Sequence, residues 1–211
     1  MNNQYRTIKN VTFVLTIALG LFACSSTPPK DKAPEKTDAP KQQITEIPTQ
    51  TLSPLDKAQF EEAIESLNNN HLKIARKMLR KLNKDYPNHS LIVSNLATIE
   101  YLENDQDNAL KLAQQALTLN PQNAHAHNIH GLILVNQDKI KEAELAYQNA
   151  IKYDDKYAEA YYNLALIQDT YYQDIALALK YYKAYLVLSG FKDEDTKSWI
   201  QQLEASLANK E

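Results

Sequence analysis

The chain has 211 residues, enough for one ordinary domain with accessories. Charged residues make up 23% and the net charge is −3, so the basic excess that a nucleic-acid binder uses to release counterions is absent. The three glycines, Gly20, Gly131 and Gly190, form no glycine-rich phosphate loop. So few breakers among much Ala, Leu, Lys, Gln and Glu favour an all-helical protein.

Arg6 and Lys9 precede the apolar run "NVTFVLTIALGLFA" at 10–23. That run is too short to span a bilayer comfortably, which takes about 20 residues. A basic lead, a short apolar core and a small residue before the break are the parts of a secretory signal. Cys24 follows directly and is the single cysteine, so it has no intramolecular disulfide partner. The tetrapeptide "LFAC", Leu21 to Cys24, resembles the bacterial lipobox, in which a peptidase cuts before the cysteine. The resemblance implies that Cys24 is the mature N-terminus and carries lipid on its sulfur. Two or more acyl chains hold a protein stably at a membrane. In Gram-negative systems an aspartate after that cysteine favours the inner membrane; Ser25 here points to the outer one, with the protein facing the periplasm.

From Ser25 to Pro54 the chain holds six of its eight prolines, among Lys, Asp, Glu, Thr and Gln. Such a segment buries too little apolar surface to offset its ordering entropy and reads as a disordered tether. The expected organisation is a signal peptide at 1–23, the lipidated cysteine and linker at 24–54, and a folded domain at 55–208.

The folded part is repetitive. "SLIVSNLATIEYLENDQDNALKLAQQALTLNPQN" at 90–123 aligns without gaps on "AHAHNIHGLILVNQDKIKEAELAYQNAIKYDDKY" at 124–157. Asp56 to His89 fits the same 34-residue frame. The segment from Ala158 recovers it at Ala178, one residue late. Small residues recur at the eighth place of each unit, Ala63, Ala97, Gly131 and Ala165, and at the twentieth, Ala75, Ala109, Ala143 and Ala178. The twenty-seventh place holds Leu82, Ala116, Ala150 and Tyr185, so the first and last units are expected to pack more loosely. Small side chains let paired helices approach closely. Pro87 and Pro121 stop the second helix of their units, and Asn69-Asn70, Asn104-Asp105 and Gln137-Asp138 mark turns.

This period and pattern resemble the tetratricopeptide repeat (TPR), a helix–turn–helix unit, over Asp56 to Leu188. The resemblance implies an all-α right-handed solenoid of four units. Trp199, Ile200, Leu203 and Leu207 form one stripe, so 193–208 reads as a capping helix with Asp193 or Asp195 at its N-cap.

In the family, positions five, nine and twelve face the concave groove. They hold Ser94, Thr98, Tyr101, Asn128, Leu132, Val135, Tyr162, Leu166 and Asp169, a mixed surface suited to a peptide or protein partner. One family variant grips a partner's C-terminal carboxylate with Lys or Arg at positions five and nine. Phe60, Ile64, Ser94, Thr98, Asn128, Leu132, Tyr162 and Leu166 offer no such clamp.

Three other features invite a chemical reading. His125, His127 and His130 lie in "HAHNIH", and the last two have a metal-ligand spacing, but packing between paired helices suits their repeat positions better. Ten of the thirteen tyrosines fall between 147 and 185, where they read mostly as interhelical packing. Lys73, Arg76, Lys77, Arg80, Lys81 and Lys84 sit on the second helix of unit one, either as a solvated face or as a contact for anionic headgroups or an acidic partner.

No nucleophile–base pair stands out, so no enzyme, cofactor, metal or small-molecule substrate is expected. The expected role is an interaction scaffold at the envelope that helps assemble a complex. The resemblance extends to pilotins of type IV pilus secretins. An adaptor for cell-wall enzymes or for an energy-transducing complex is the alternative.

Overall fold

The computed structural model describes residues 50–208. The signal peptide, Cys24 and most of the proline-rich linker therefore lie outside the described residues. Every regular element among the described residues is helical. Helices α1 (Pro54–Asn68) and α2 (Leu72–Asp85) form the first pair, and α3 (Ser90–Leu102) and α4 (Gln106–Leu119) the second. The third pair is α5 (Ala124–Asn136) with α6 (Ile140–Tyr153). The fourth is α7 (Ala158–Ile167) with α8 (Ile175–Leu188), and α9 (Glu194–Ala208) closes the stack.

Residues 50–53 lead into α1, which begins at Pro54. Leu52 packs against the core of the first pair, Ser53 accepts from the Asp56 amide at 3.2 Å, and Pro54 occupies the first helical turn, where its missing N–H costs nothing. Asp56 and Tyr86 close this entry: the Tyr86 hydroxyl donates to the Asp56 carboxylate at 2.6 Å. Bonds from Ser53 first, and then from Tyr86, hold the Asp56 carboxyl below the usual range.

Side-chain caps start α4, α5, α8 and α9. Asp105, Asn123, Asp174 and Asp193 each accept from the amide three residues on, at 3.0–3.2 Å. Asp193, not Asp195, thus caps the last helix.

The small residues of the repeat are the closest points of helix approach: Ala63, Ala75, Ala97, Ala109, Ala143, Ala165 and Ala178 are fully buried. At Gly131 the fit is tighter than alanine would allow. A Cβ there would meet the Tyr147 ring at 2.5 Å. The bulkier Leu82 and Tyr185 are also buried, and the Tyr185 hydroxyl donates to Asp193 at 3.1 Å.

Each first helix ends in one left-handed residue: Asn70, Asn104, Asp138 and Gln173, with φ between 55° and 64°. Asn and Asp tolerate this conformation, which is why they mark the turns. In units one to three the following amide reaches back five residues, as His71 to Ser66, Asp105 to Glu100 and Lys139 to Leu134. In unit four it reaches back six, from Asp174 to Gln168 at 2.9 Å. There α7 continues into a π turn, Gln168–Tyr172. A π turn is a helix with one residue inserted. It absorbs the residue by which the frame lags at Ala178.

Neighbouring units are also held by ions. Arg76 of α2 makes a two-pronged pair with Glu103 beyond α3 and a further bond to Glu100 at 3.2 Å. Glu100 is buried and meets both Arg76 and Arg80. No described helix is long and apolar enough to cross a membrane.

Candidate functional site

The first helices of the units pack on one another, α1 on α3 and α3 on α5, and form one layer of the stack. On this layer the sequence places three residues per unit at i, i+4 and i+7, which share one face of a helix. Ser94, Thr98 and Tyr101 lie on α3, Asn128, Leu132 and Val135 on α5, Tyr162 and Leu166 on α7, and Asp169 on the π turn.

Five of these nine are buried: Ser94, Asn128, Leu132, Val135 and Tyr162. Side chains from outside their own helices account for three of them. Asn123, which caps α5, donates to Ser90 at 2.6 Å and to Ser94 at 3.3 Å. Asn163 of α7 donates to Asn128 of α5 at 2.8 Å. Tyr162 packs against Tyr185 with ring centres 5.0 Å apart, against Tyr182 at 6.0 Å and against Trp199 of α9 at 6.4 Å. These side chains therefore tie units together, and a partner meets them only at their edges.

The half-buried members are Thr98, Tyr101, Leu166 and Asp169. Burial raises the Asp169 carboxyl above its ordinary value, against the lowering effect of the Tyr182 hydroxyl, which donates to it at 3.5 Å. Burial also pushes the Tyr101 phenol up. Tyr182 and Tyr185 are raised as well, first by burial and then by Asp169 and Asp193 respectively. All three phenols stay protonated, and Tyr182 and Tyr185 donate to their carboxylates.

His125, Tyr157 and Trp199 join this face, although position numbering alone did not point to them. His125 Nε2 lies 2.9 Å from Thr98 Oγ1, and its Nδ1 lies 2.8 Å from the Tyr157 hydroxyl. A neutral ring with its proton on Nε2 satisfies both contacts, with the Thr98 proton going to the Ser94 carbonyl at 3.2 Å. Burial lowers the His125 pKa to about 4. The two contacts span 27 and 32 residues, off the 34-residue period, so the repeat carried no signal for them.

The other two histidines point elsewhere. His127 stacks on Tyr153 of α6 at 5.4 Å and bonds the Pro121 carbonyl at 2.9 Å. His130 is half-buried, and its pKa is lowered by burial first and then by His127 and Lys139. Among the described residues no three metal-ligating side chains converge. The positions of the carboxylate clamp carry no cation, as read.

The geometry agrees with sequence and structure comparisons. A family model described as "Tetratricopeptide repeat-like domain" matches residues 30–168. It begins inside the proline-rich segment and ends at the first residue of the π turn, where the 34-residue frame breaks. No curated protein matches the sequence. Among solved structures, PilF of Pseudomonas aeruginosa is similar with a TM-score of 0.61 and 22% identity, over 73% of this chain and 69% of that one. A thermophilic TPR protein of Thermus thermophilus gives 0.58 and 19%, over 71% and 81%. The first TPR domain of Spaghetti, bound to an HSP90 peptide, gives 0.51 and 17%, over 56% and 93%. At these identities the likeness is one of fold. The family model spans more than half of the chain and falls on its helix pairs, and the chain belongs to the tetratricopeptide repeat-like domain family.

Proposed function

We propose that this protein is a lipid-anchored scaffold of the bacterial envelope that holds a partner protein or peptide on the layer formed by α3, α5 and α7. The observation that carries the reading is the half-buried row Thr98, Tyr101, Leu166 and Asp169, set on a floor of interlocked side chains. A rigid floor lowers the ordering cost of binding, and edges that mix hydroxyl, carboxylate and aliphatic groups suit a peptide better than a small substrate. The HSP90 peptide bound by the TPR domain of Spaghetti is a use of the same fold that supports this reading. Binding rather than catalysis fits a face whose histidine is already satisfied by two hydroxyls.

The anchor is proposed at Cys24, with the protein facing the periplasm from the outer membrane. Helping to assemble an envelope complex, as a pilotin or as an adaptor, is the role such a scaffold would play.

Two experiments test the reading. Photo-crosslinking residues at Tyr101, Leu166 and Asp169 in native cells should capture one common partner, while the same residue at exposed Leu145 of α6 should not. Capture only from Leu145 would move the site to the opposite layer. Separately, Cys24→Ser should release the chain from the membrane fraction or mislocalise it; unchanged fractionation rejects the lipid anchor.

A further inference from the structure

Helix α2 carries more positive charge than its packing uses. Ala75, Leu79 and Leu82 face the core. Lys73, Lys77, Arg80, Lys81 and Lys84 are exposed and wind into one band along the helix. The ion pairs of α2 lie on its α3 side: Glu100 and Glu103 hold Arg76, and Glu100 also meets Arg80 at 3.4 Å, while Asp56 of α1 stands near Lys81 without pairing with it. Lys73 stands near Glu103 without pairing with it. Lys81 donates to the neutral side chain of Gln59 at 3.2 Å. Among the described residues, Lys73, Lys77 and Lys84 make no ion pair.

The same band contains an exposed isoleucine, Ile74, with 53% of its surface open. An aliphatic side chain flanked by lysines matches a boundary where anionic headgroups meet acyl chains. A protein surface would need carboxylates spaced to fit five cations and an apolar socket for Ile74; a fluid layer of anionic lipid meets both by rearrangement. Helix α1 exposes Glu61, Glu62 and Glu65, so the contact belongs to α2 and not to the whole first unit.

We propose that the α2 band is a second membrane contact, resting on anionic lipid headgroups with Ile74 at the headgroup boundary. This rests on the anchoring proposed at Cys24. The chain between Cys24 and residue 50 can reach no farther than about 90 Å, and the first unit, which carries α2, is the one joined directly to it. The band would turn a loosely leashed domain into an oriented one.

The test uses the full chain reconstituted into vesicles of phosphatidylcholine alone or with phosphatidylglycerol added, followed by timed lysine acetylation read by mass spectrometry. Lys111 of α4 and Lys141 of α6, both exposed, serve as references. Lys73, Lys77 and Lys84 should react several-fold more slowly on the phosphatidylglycerol vesicles, and added salt should erase the difference. Equal rates on both vesicles overturn the proposal. Protection seen only in native envelopes, and on neither vesicle, would assign the band to an acidic protein and also overturns it. Release of the whole chain from phosphatidylcholine vesicles would count against the anchor alone, because the rates on phosphatidylglycerol vesicles would still decide the α2 contact.

Discussion

His125 is held between Thr98 and Tyr157 as a neutral ring, and burial lowers its pKa from 6.5 to about 4. A histidine whose pKa falls on folding binds its proton more readily in the unfolded chain. Its contribution is therefore complete above the unfolded value and drains away as the pH drops through the folded one. Stability should fall by about 3 kcal/mol as the pH drops from above 6.5 to 4 on this account alone. Burial shifts His89, His127 and His130 in the same direction and adds to the trend. Urea titrations across that range would measure it, and His125→Gln should flatten the slope while lowering stability at neutral pH. Gly131 supports a second prediction at this scale. Gly131→Ala would drive a Cβ into the fully packed Tyr147 ring and should cost about 1–3 kcal/mol, despite the better helix propensity of alanine. The need for a small residue there was legible from the repeat. The ring that enforces it was not, since Tyr147 reads only as one of ten tyrosines packed between helices, with nothing in the repeat to set it against Gly131.

The π turn is the element that departs from the pattern. It is fastened to α6 through Glu144, which accepts from Gln168 and from the Tyr172 hydroxyl, both at 3.0 Å. Glu144→Ala should speed amide exchange across 168–173 and lower stability by about 1–2 kcal/mol, with the other units unaffected. At the turn's end Gln173 takes a left-handed φ of 55°, where the other units use Asn or Asp. Gln173→Gly should stabilise the protein by about 0.5–1 kcal/mol, read as a higher urea midpoint at unchanged slope. The extra residue was visible as the lag at Ala178. Its placement was not, because a period tells where the frame resumes and not whether a helix or a loop absorbs the surplus. The proposed groove shows the same limit. Spacing within one helix put Ser94, Asn128 and Tyr162 on a shared face. What covers them arrives from the next unit through Asn123, Asn163 and Trp199, about thirty residues away, where a one-helix periodicity carries no information.

At the scale of the whole stack, each unit touches its neighbours, so stability is a chain of local terms. Helix α9 supplies the last one: Ile200 is buried, Trp199 lies against Tyr162 and Tyr182, and Asp193 receives the Tyr185 hydroxyl. Ending the chain at Lys192 should open the fourth unit first and leave the amides of α1 to α4 protected, a gradient that residue-resolved hydrogen exchange would show. A uniform loss across all units would mean that the stack melts as one block.

The Arg76 pairs with Glu100 and Glu103 take on a mechanical meaning in such a stack. Any pull on the N-terminal end enters at α1 and passes on where α1 and α2 meet α3. That seam is cross-braced by a guanidinium against two carboxylates, in series with the rest of the stack. Charge there acts as a rivet, and a single substitution at Arg76 would set the force at which the first unit peels away.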